Sequence, residues 1–169
     1  MLTIRPERSK DYEAVRRVLR QAFGRADTEA DLVDALRASS ASVPDLCLVA
    51  LDDEGIVGHL FFSRARLDSG DDVLALAPMA VVPKRQREGI GSLLLKDGLR
   101  RATETTFPLI VVVGYATYYP RFGFAPADAY DIRAPWDVPA EAWMVLPLPA
   151  YRPSVRGVVT YPQAFDAVT

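Results

Sequence analysis

The stretch PKRQREGIGSLLLKDGLRRA, from Pro83 to Ala102, decides how the chain is read. A basic cluster, Lys84 to Arg87, runs into two glycines, Gly89 and Gly91, and then into an apolar run. Leu95, Leu99 and Ala102 recur at helical spacing with Leu94 beside them, which predicts a helix from about Glu88 to Thr105. The residues just before, VLALAPMAVVP, read as a strand interrupted at Pro78. A proline inside an apolar strand predicts a bulge or a broken ladder near Pro78 and Met79. The glycines therefore fall where a strand stops and a helix starts. A helix N-terminus offers free N–H groups and the positive end of its dipole. Glycine lets a ligand approach that backbone, so the junction reads as a phosphate cradle. Arg85 and Arg87 add charge to it and Ser92 a hydroxyl. The competing reading is a tight turn with no ligand.

Spacing separates the phosphate folds that use such a junction. A Walker loop needs Gly-Lys-Ser/Thr, and Gly91 stands before Ser92 where the lysine belongs. The dinucleotide fingerprint needs a third glycine at position 94, which is Leu. Both nucleotide readings are weak.

Outward from this junction, LTIRPER predicts a first strand. SKDYEAVRRVLRQAFG predicts a helix with Ser9 as N-cap and Gly24 as C-cap, its apolar side formed by Tyr12, Val15, Leu19 and Phe23. TEADLVDALRAS predicts a second helix with Leu32, Ala35 and Leu36 turned inward, and SVPD predicts a break after it. LCLVALDDEGIVGHLFFSRARL reads as a hairpin turning at Asp53–Gly55. FPLIVVVG reads as a buried fifth strand. Later strands are expected around Tyr130 to Arg133, around Trp143 to Leu148, and in GVVTYPQAF. Strands and helices mixed in this order predict an α+β fold, a mostly antiparallel sheet flanked by helices. With 169 residues and no long linker, a single domain over 1–169 is expected.

The charge is −2, from 20 basic and 22 acidic residues, which argues against nonspecific nucleic-acid binding. The single cysteine, Cys47, lies in an apolar strand and reads as a buried thiol. One Cys and one His make no metal cluster. The N-terminus has no signal-peptide pattern, and no apolar run approaches the ~18 residues of a membrane span. A cytoplasmic location away from membranes is the simplest expectation.

Gln86-Arg87-Glu88-Gly89-Ile90-Gly91 resembles the Q/R-x-x-G-x-G/A motif of the GNAT acyltransferase superfamily. MAVVP is similar to the end of that family's fourth strand, and YYPRFGF, Tyr118 to Phe124, resembles its second signature. GHLFFSRARL and GVVTYPQAF further resemble the YhbS-type subgroup. The resemblance covers nearly the whole chain. It implies a GNAT fold with splayed central strands and acetyl-CoA as co-substrate, with no metal. It implies that Arg87, Glu88, Gly89, Ile90, Gly91 and Ser92 hold the pyrophosphate, and that Met79, Ala80 and Val81 pair with the pantetheine arm. A backbone N–H at Met79 or Ala80 is implied as donor to the thioester oxygen. Tyr119, four residues before Gly123, is implied as general acid, with Tyr118 the rival if the register shifts by one.

Two departures bear on mechanism. The fourth strand lacks the carboxylate that many relatives use as base, and Gly114–Thr117 lacks the usual Asn. His59 is open as a base, against a hydrogen-bonded role at the start of the third strand. The implied activity is acetyl transfer to an amine acceptor. The alternatives are an acyl-CoA sensor with little turnover, and an interaction protein whose glycines are only structural. The first two helices and the segment around Trp136 and Trp143 are expected to shape the acceptor pocket. A homodimer is compatible with this fold, and no residue marks an interface.

Overall fold

The structure is a computed structural model and describes residues 1–24 and 26–168. Its strands are β1 Thr3–Pro6, β2 Ser42–Asp52, β3 Gly55–Leu67, β4 Asp72–Val81, β5 Leu109–Val113, β6 Ala125–Pro126, β7 Ile132–Arg133, β8 Trp143–Pro147 and β9 Gly157–Thr160. Its helices are α1 Tyr12–Phe23, α2 Thr28–Arg37 and α3 Ile90–Ala102, with short 3-10 turns between. Among the described residues the strands form one sheet in the order β1-β2-β3-β4-β5-β8-β6, and β9 and β7 extend it from the far end of β3. Pairing is antiparallel except between β4 and β5 and between β7 and β9. The expected α+β fold is present.

The sheet is buried on both faces. Successive strand residues point to opposite sides. On one side His59, Phe61 and Ser63 of β3 lie fully buried in register with β2. On the other, the Leu60 and Phe62 side chains pack against α3, through Gly98. Each fully buried Leu or Phe side chain contributes about 1.5–3 kcal/mol, so this double layer supplies most of the core's stability.

Several local readings change. Ser9 is not the N-cap of α1. The Asp11 carboxylate accepts the Arg8 N–H at 2.7 Å and is held by Arg5 at 2.6 Å, so a 3-10 turn over Ser9–Asp11 precedes a helix that begins at Tyr12. Gly24 does cap α1, with φ of 63°. In α2 the buried positions are Glu29, Ala30, Leu32, Val33 and Leu36, and Ala35 is exposed. SVPD begins β2 rather than breaking before it, and the ladder shifts register between Ser42 and Cys47. α3 starts later than expected because its N-cap Gly89 sits at φ 86°, and it also ends earlier, at Ala102. In the tail the expected strands form at Ile132–Arg133 and Gly157–Thr160, but 3-10 turns take Tyr130 at the start of the first segment and Gln163 to Phe165 at the end of the second.

The expected irregularity at Pro78 positions the site. Leu60 pairs with Met79 and Phe62 with Leu76, so Phe61 alone faces Ala77 and Pro78. One extra residue on β4 is a bulge, which bends the strand. Beside it, β4 and β5 pair only at Leu74–Ile110 and Ala75–Val111. Beyond Ala75 the two strands part, and a cleft opens between them.

Candidate active site

The glycine-rich turn lies at the mouth of this gap. The side-chain amide of Gln86 donates to the Val81 carbonyl at 3.0 Å, tying the turn to the end of β4. Arg87 and Gly89 both have positive φ, 67° and 86°. At Gly89 a Cβ would meet nothing within 4 Å, so its backbone faces open space. The first-turn N–H groups of α3 have no partner within the helix. They form a concave, electropositive cradle.

The charges around the cradle are not equivalent. Arg85 is committed elsewhere, to Asp52 at 2.7 Å, Glu54 at 2.9 Å and Glu88 at 2.9 Å. Its hydrogen bonds to Asp52 and Glu88 raise its pKa further. Glu88 is thereby engaged beside Arg85 rather than opposing an anion. Arg87 is exposed and makes no ion pair among the described residues. The Ser92 hydroxyl is 3.0 Å from that of Tyr118.

Strand alternation sorts the residues of β4. The Val82 N–H donates to Val57 of β3 at 2.9 Å, so Ala80, two residues earlier, also directs its backbone toward β3. Met79 and Val81 then present theirs to the open side. A Cβ on Gly91 would lie 3.8 Å from Val81 Cγ2, 3.9 Å from Met79 Cε and 3.9 Å from the Tyr118 hydroxyl. Cradle and open strand edge are thus contiguous.

Beyond Met79 the gap widens into a cleft of about 590 Å³. The bulge residues Ala77 and Pro78, with Val112 and Val113 of β5, line it on the sheet side. Phe23, Glu29 and Leu32 from the first two helices form one wall. Trp136, Tyr161 and Phe165 from the tail form another. Trp143 does not take part: its ring lies in a separate core cluster, with Nε1–H donating to the Ile132 carbonyl at 3.0 Å.

Tyr119 lines the cleft and Tyr118 does not. The two rings meet edge to face at 5.1 Å, so the adjacent tyrosines occupy different places: Tyr118 beside α3, Tyr119 in the gap. Tyr119 is 8% exposed, and its hydroxyl has no hydrogen-bond partner among the described residues. Burial, with a smaller contribution from the Tyr118 phenol, pushes its pKa up to about 12. It stays protonated through the neutral range and keeps an O–H to donate.

His59 is not in the cleft. It is wholly buried beneath α1 and α2, with Nε2 3.0 Å from Glu7, which Arg37 clamps at 2.8 and 2.9 Å. Burial lowers the His59 pKa against the opposing pull of Glu7, so the ring is neutral and structural. Cys47 is buried as expected, and burial raises its thiol pKa. The polar groups that sequence reasoning missed are Glu29 and Asp137, both on the cleft. They lie far from the motifs in sequence, and only the packing of α2 and the tail brings them to the gap.

A bulged, splayed sheet beside a glycine-lined helix N-terminus defines an acyltransferase of the CoA-thioester-binding class. The chain belongs to the GNAT acetyltransferase family: residues 3–127 match the acetyltransferase (GNAT) domain. It is 36% identical over 154 residues to the uncharacterized N-acetyltransferase YjhQ of Escherichia coli strain K12, covering 87% of this chain and 84% of YjhQ. It is 33% identical over 169 residues to the uncharacterized N-acetyltransferase YhbS of the same strain, covering 98% of this chain and 99% of YhbS. The crystal structure of E. coli YhbS in complex with CoA superposes with a TM-score of 0.87 at 32% identity, over 98% of this chain and 92% of that one. A GNAT acetyltransferase from Brucella melitensis in complex with acetyl-CoA gives 0.81 at 32% identity, over 98% and 99%.

Proposed function

We propose that this protein transfers the acetyl group of acetyl-CoA directly to an amine. The observation that carries the reading is the parting of β4 and β5 beyond Ala75, which joins the α3 cradle to the cleft holding Tyr119. The donor complexes of the two GNAT relatives support the choice of ligand.

In this reading the backbone from Arg87 to Ser92, with the Arg87 guanidinium, holds the pyrophosphate. The open edges of Met79 and Val81 pair with the pantetheine arm, and the Met79 N–H is the donor placed to polarise the thioester oxygen. Ala80 supports that edge through β3. The amine enters from the cleft as its free base, having lost a proton to solvent. Its nitrogen attacks the carbonyl carbon, a C–N bond forms and the C–S bond breaks.

Tyr119 acts on the departing sulfur. A phenol near 12 is a weaker acid than a thiol of about 8.5, so complete proton transfer to the thiolate is uphill. Its O–H is most effective as a donor that stabilises sulfur as charge develops there. The remaining amine proton ends on sulfur or in solvent, giving amide and CoA thiol.

The test is release of CoA thiol from acetyl-CoA in the presence of a broad panel of primary amines. Amine-dependent release supports the reading. Binding of acetyl-CoA with no release from any amine contradicts it and leaves a sensor.

A further inference from the structure

The cleft's lining bears on the acceptor, and the inference rests on the transferase reading above. Its walls are mostly apolar and aromatic. Trp136 and Tyr161 meet at a tilt of 42° with centroids 4.5 Å apart, and Tyr161 meets Phe165 edge to face at 5.1 Å, making a row of three rings. Phe23 and Leu32 line the same cleft. Such a slot favours a flat or branched apolar body, which loses water on entry.

Among the described residues, the charged groups on the cleft are of one sign. Glu29 and Asp137 line it, and no lysine, arginine or histidine does so among the described residues. Glu29 is buried, and Asp137 is exposed next to Trp136. Tyr119 lines the same cleft, and its hydroxyl has no hydrogen-bond partner among the described residues. The exposed Asp137 carboxylate, next to Trp136, attracts a cation by charge, and the aromatic faces add the pull of the ring quadrupole. Asp137 repels a carboxylate, which finds no cation among the described lining residues to replace its lost hydration.

We infer that the cleft takes amines carried on an aromatic or branched apolar body and turns away acceptors that bear a carboxylate, with Asp137 as a specificity-determining residue. Amines meeting the protein as ammonium ions are collected at Asp137 and shed a proton to solvent there. The apolar body then lies along Trp136 and Tyr161, with nitrogen toward Tyr119. Free α-amino acids are excluded by their carboxylate and not by their size.

The test compares kcat/KM for phenethylamine, L-phenylalaninamide, L-phenylalanine and ethanolamine in the wild-type protein and in Asp137→Lys. Phenethylamine and L-phenylalaninamide should exceed L-phenylalanine by at least about tenfold, and ethanolamine should fall below both. In Asp137→Lys the preference for phenethylamine over L-phenylalanine should shrink by about tenfold or invert, while stabilisation by acetyl-CoA is unchanged. L-phenylalanine or ethanolamine reacting as well as phenethylamine overturns the inference but leaves the transferase reading standing. So does a preference that Asp137→Lys does not alter. No turnover of any amine by a protein that binds acetyl-CoA overturns both.

Discussion

The ring of Tyr119 lies directly on the backbone of Gly114. A Cβ at Gly114 would fall 2.7 Å from Tyr119 Cδ2 and closer still to Cε2, where no atom fits. Gly114 sits just past β5, its N–H donating to the Ala142 carbonyl at 2.9 Å, so it is not free to move aside. Phe124 closes the other side edge to face at 5.5 Å. The tyrosine is thus held by a strand end that carries no side chain.

Gly114→Ala should therefore act on catalysis through Tyr119. Displacing a reacting group by about 1 Å can cost about 100-fold, and kcat should fall by that order. Overpacking should cost about 1–3 kcal/mol of stability. Kinetics and thermal unfolding of the variant measure both. Unchanged kcat would show that the Tyr119 position does not matter to turnover.

Gly91 separates the cradle from the fold. Its neighbours lie at ordinary contact distance, so Gly91→Ala should fold and still be stabilised by acetyl-CoA. Gly91→Glu places an anion where a pyrophosphate would sit, at a helix end that favours it by about 0.3–1 kcal/mol. The expected result is an unfolding midpoint retained without ligand and a lost response to acetyl-CoA. For the wild type, ligand at 100 times its Kd should add about 2.7 kcal/mol. A full response in Gly91→Glu would move the donor away from α3.

The buried Glu7–His59–Arg37 cluster sets a pH dependence of stability. Burial alone would raise the Glu7 carboxyl, but hydrogen bonds from Arg37 and His59 outweigh it and hold the pKa at about 2, against 4.5 for the free group. The folded protein then binds fewer protons than the unfolded chain between those values. This contribution, up to roughly 3 kcal/mol, is present above pH 4.5 and lost as pH falls toward 2. His59, lowered from 6.5, acts with the same sign: its share is present above pH 6.5 and declines below. Denaturant melts should show stability falling in two stages on acidification. In Glu7→Gln the stage below pH 4.5 should flatten, and the variant should lose roughly 3 kcal/mol at pH 7 because Arg37 is left beside a neutral partner. An acid limb unchanged in Glu7→Gln would remove Glu7 from the account.

What was legible in the sequence was local in origin. Pro78 announced the bulge because proline cannot complete a ladder, and Gly24 announced the end of α1 because left-handed φ favours glycine. The spacing of Gln86, Gly89 and Gly91 led to the cradle. What misled was decided by tertiary partners. Ser9 is a good cap by type, but Asp11 is anchored by Arg5 on β1 and takes the Arg8 N–H itself. Ala35 and Val33 both suit the apolar side of a short helix, and only the docking of α2 chooses Val33. Arg85 was credited to the cradle because nothing local reveals that Asp52 and Glu54, from the hairpin turn, engage it. Trp136 reached the cleft as expected and Trp143 did not, because the Trp143 indole is taken up in a core cluster on the far side of β8, from which its N–H donates to the Ile132 carbonyl.

The central claim is that the Tyr119 hydroxyl assists acetyl transfer in the gap between β4 and β5. Tyr119→Phe keeps the ring against Gly114 and removes only the donor. The direct measurement is kcat for CoA release at saturating acetyl-CoA and amine, with acetyl-CoA binding followed in parallel by thermal unfolding. The account predicts a fall of about 100-fold or more in kcat with donor binding intact. Turnover equal to that of the wild type would contradict it.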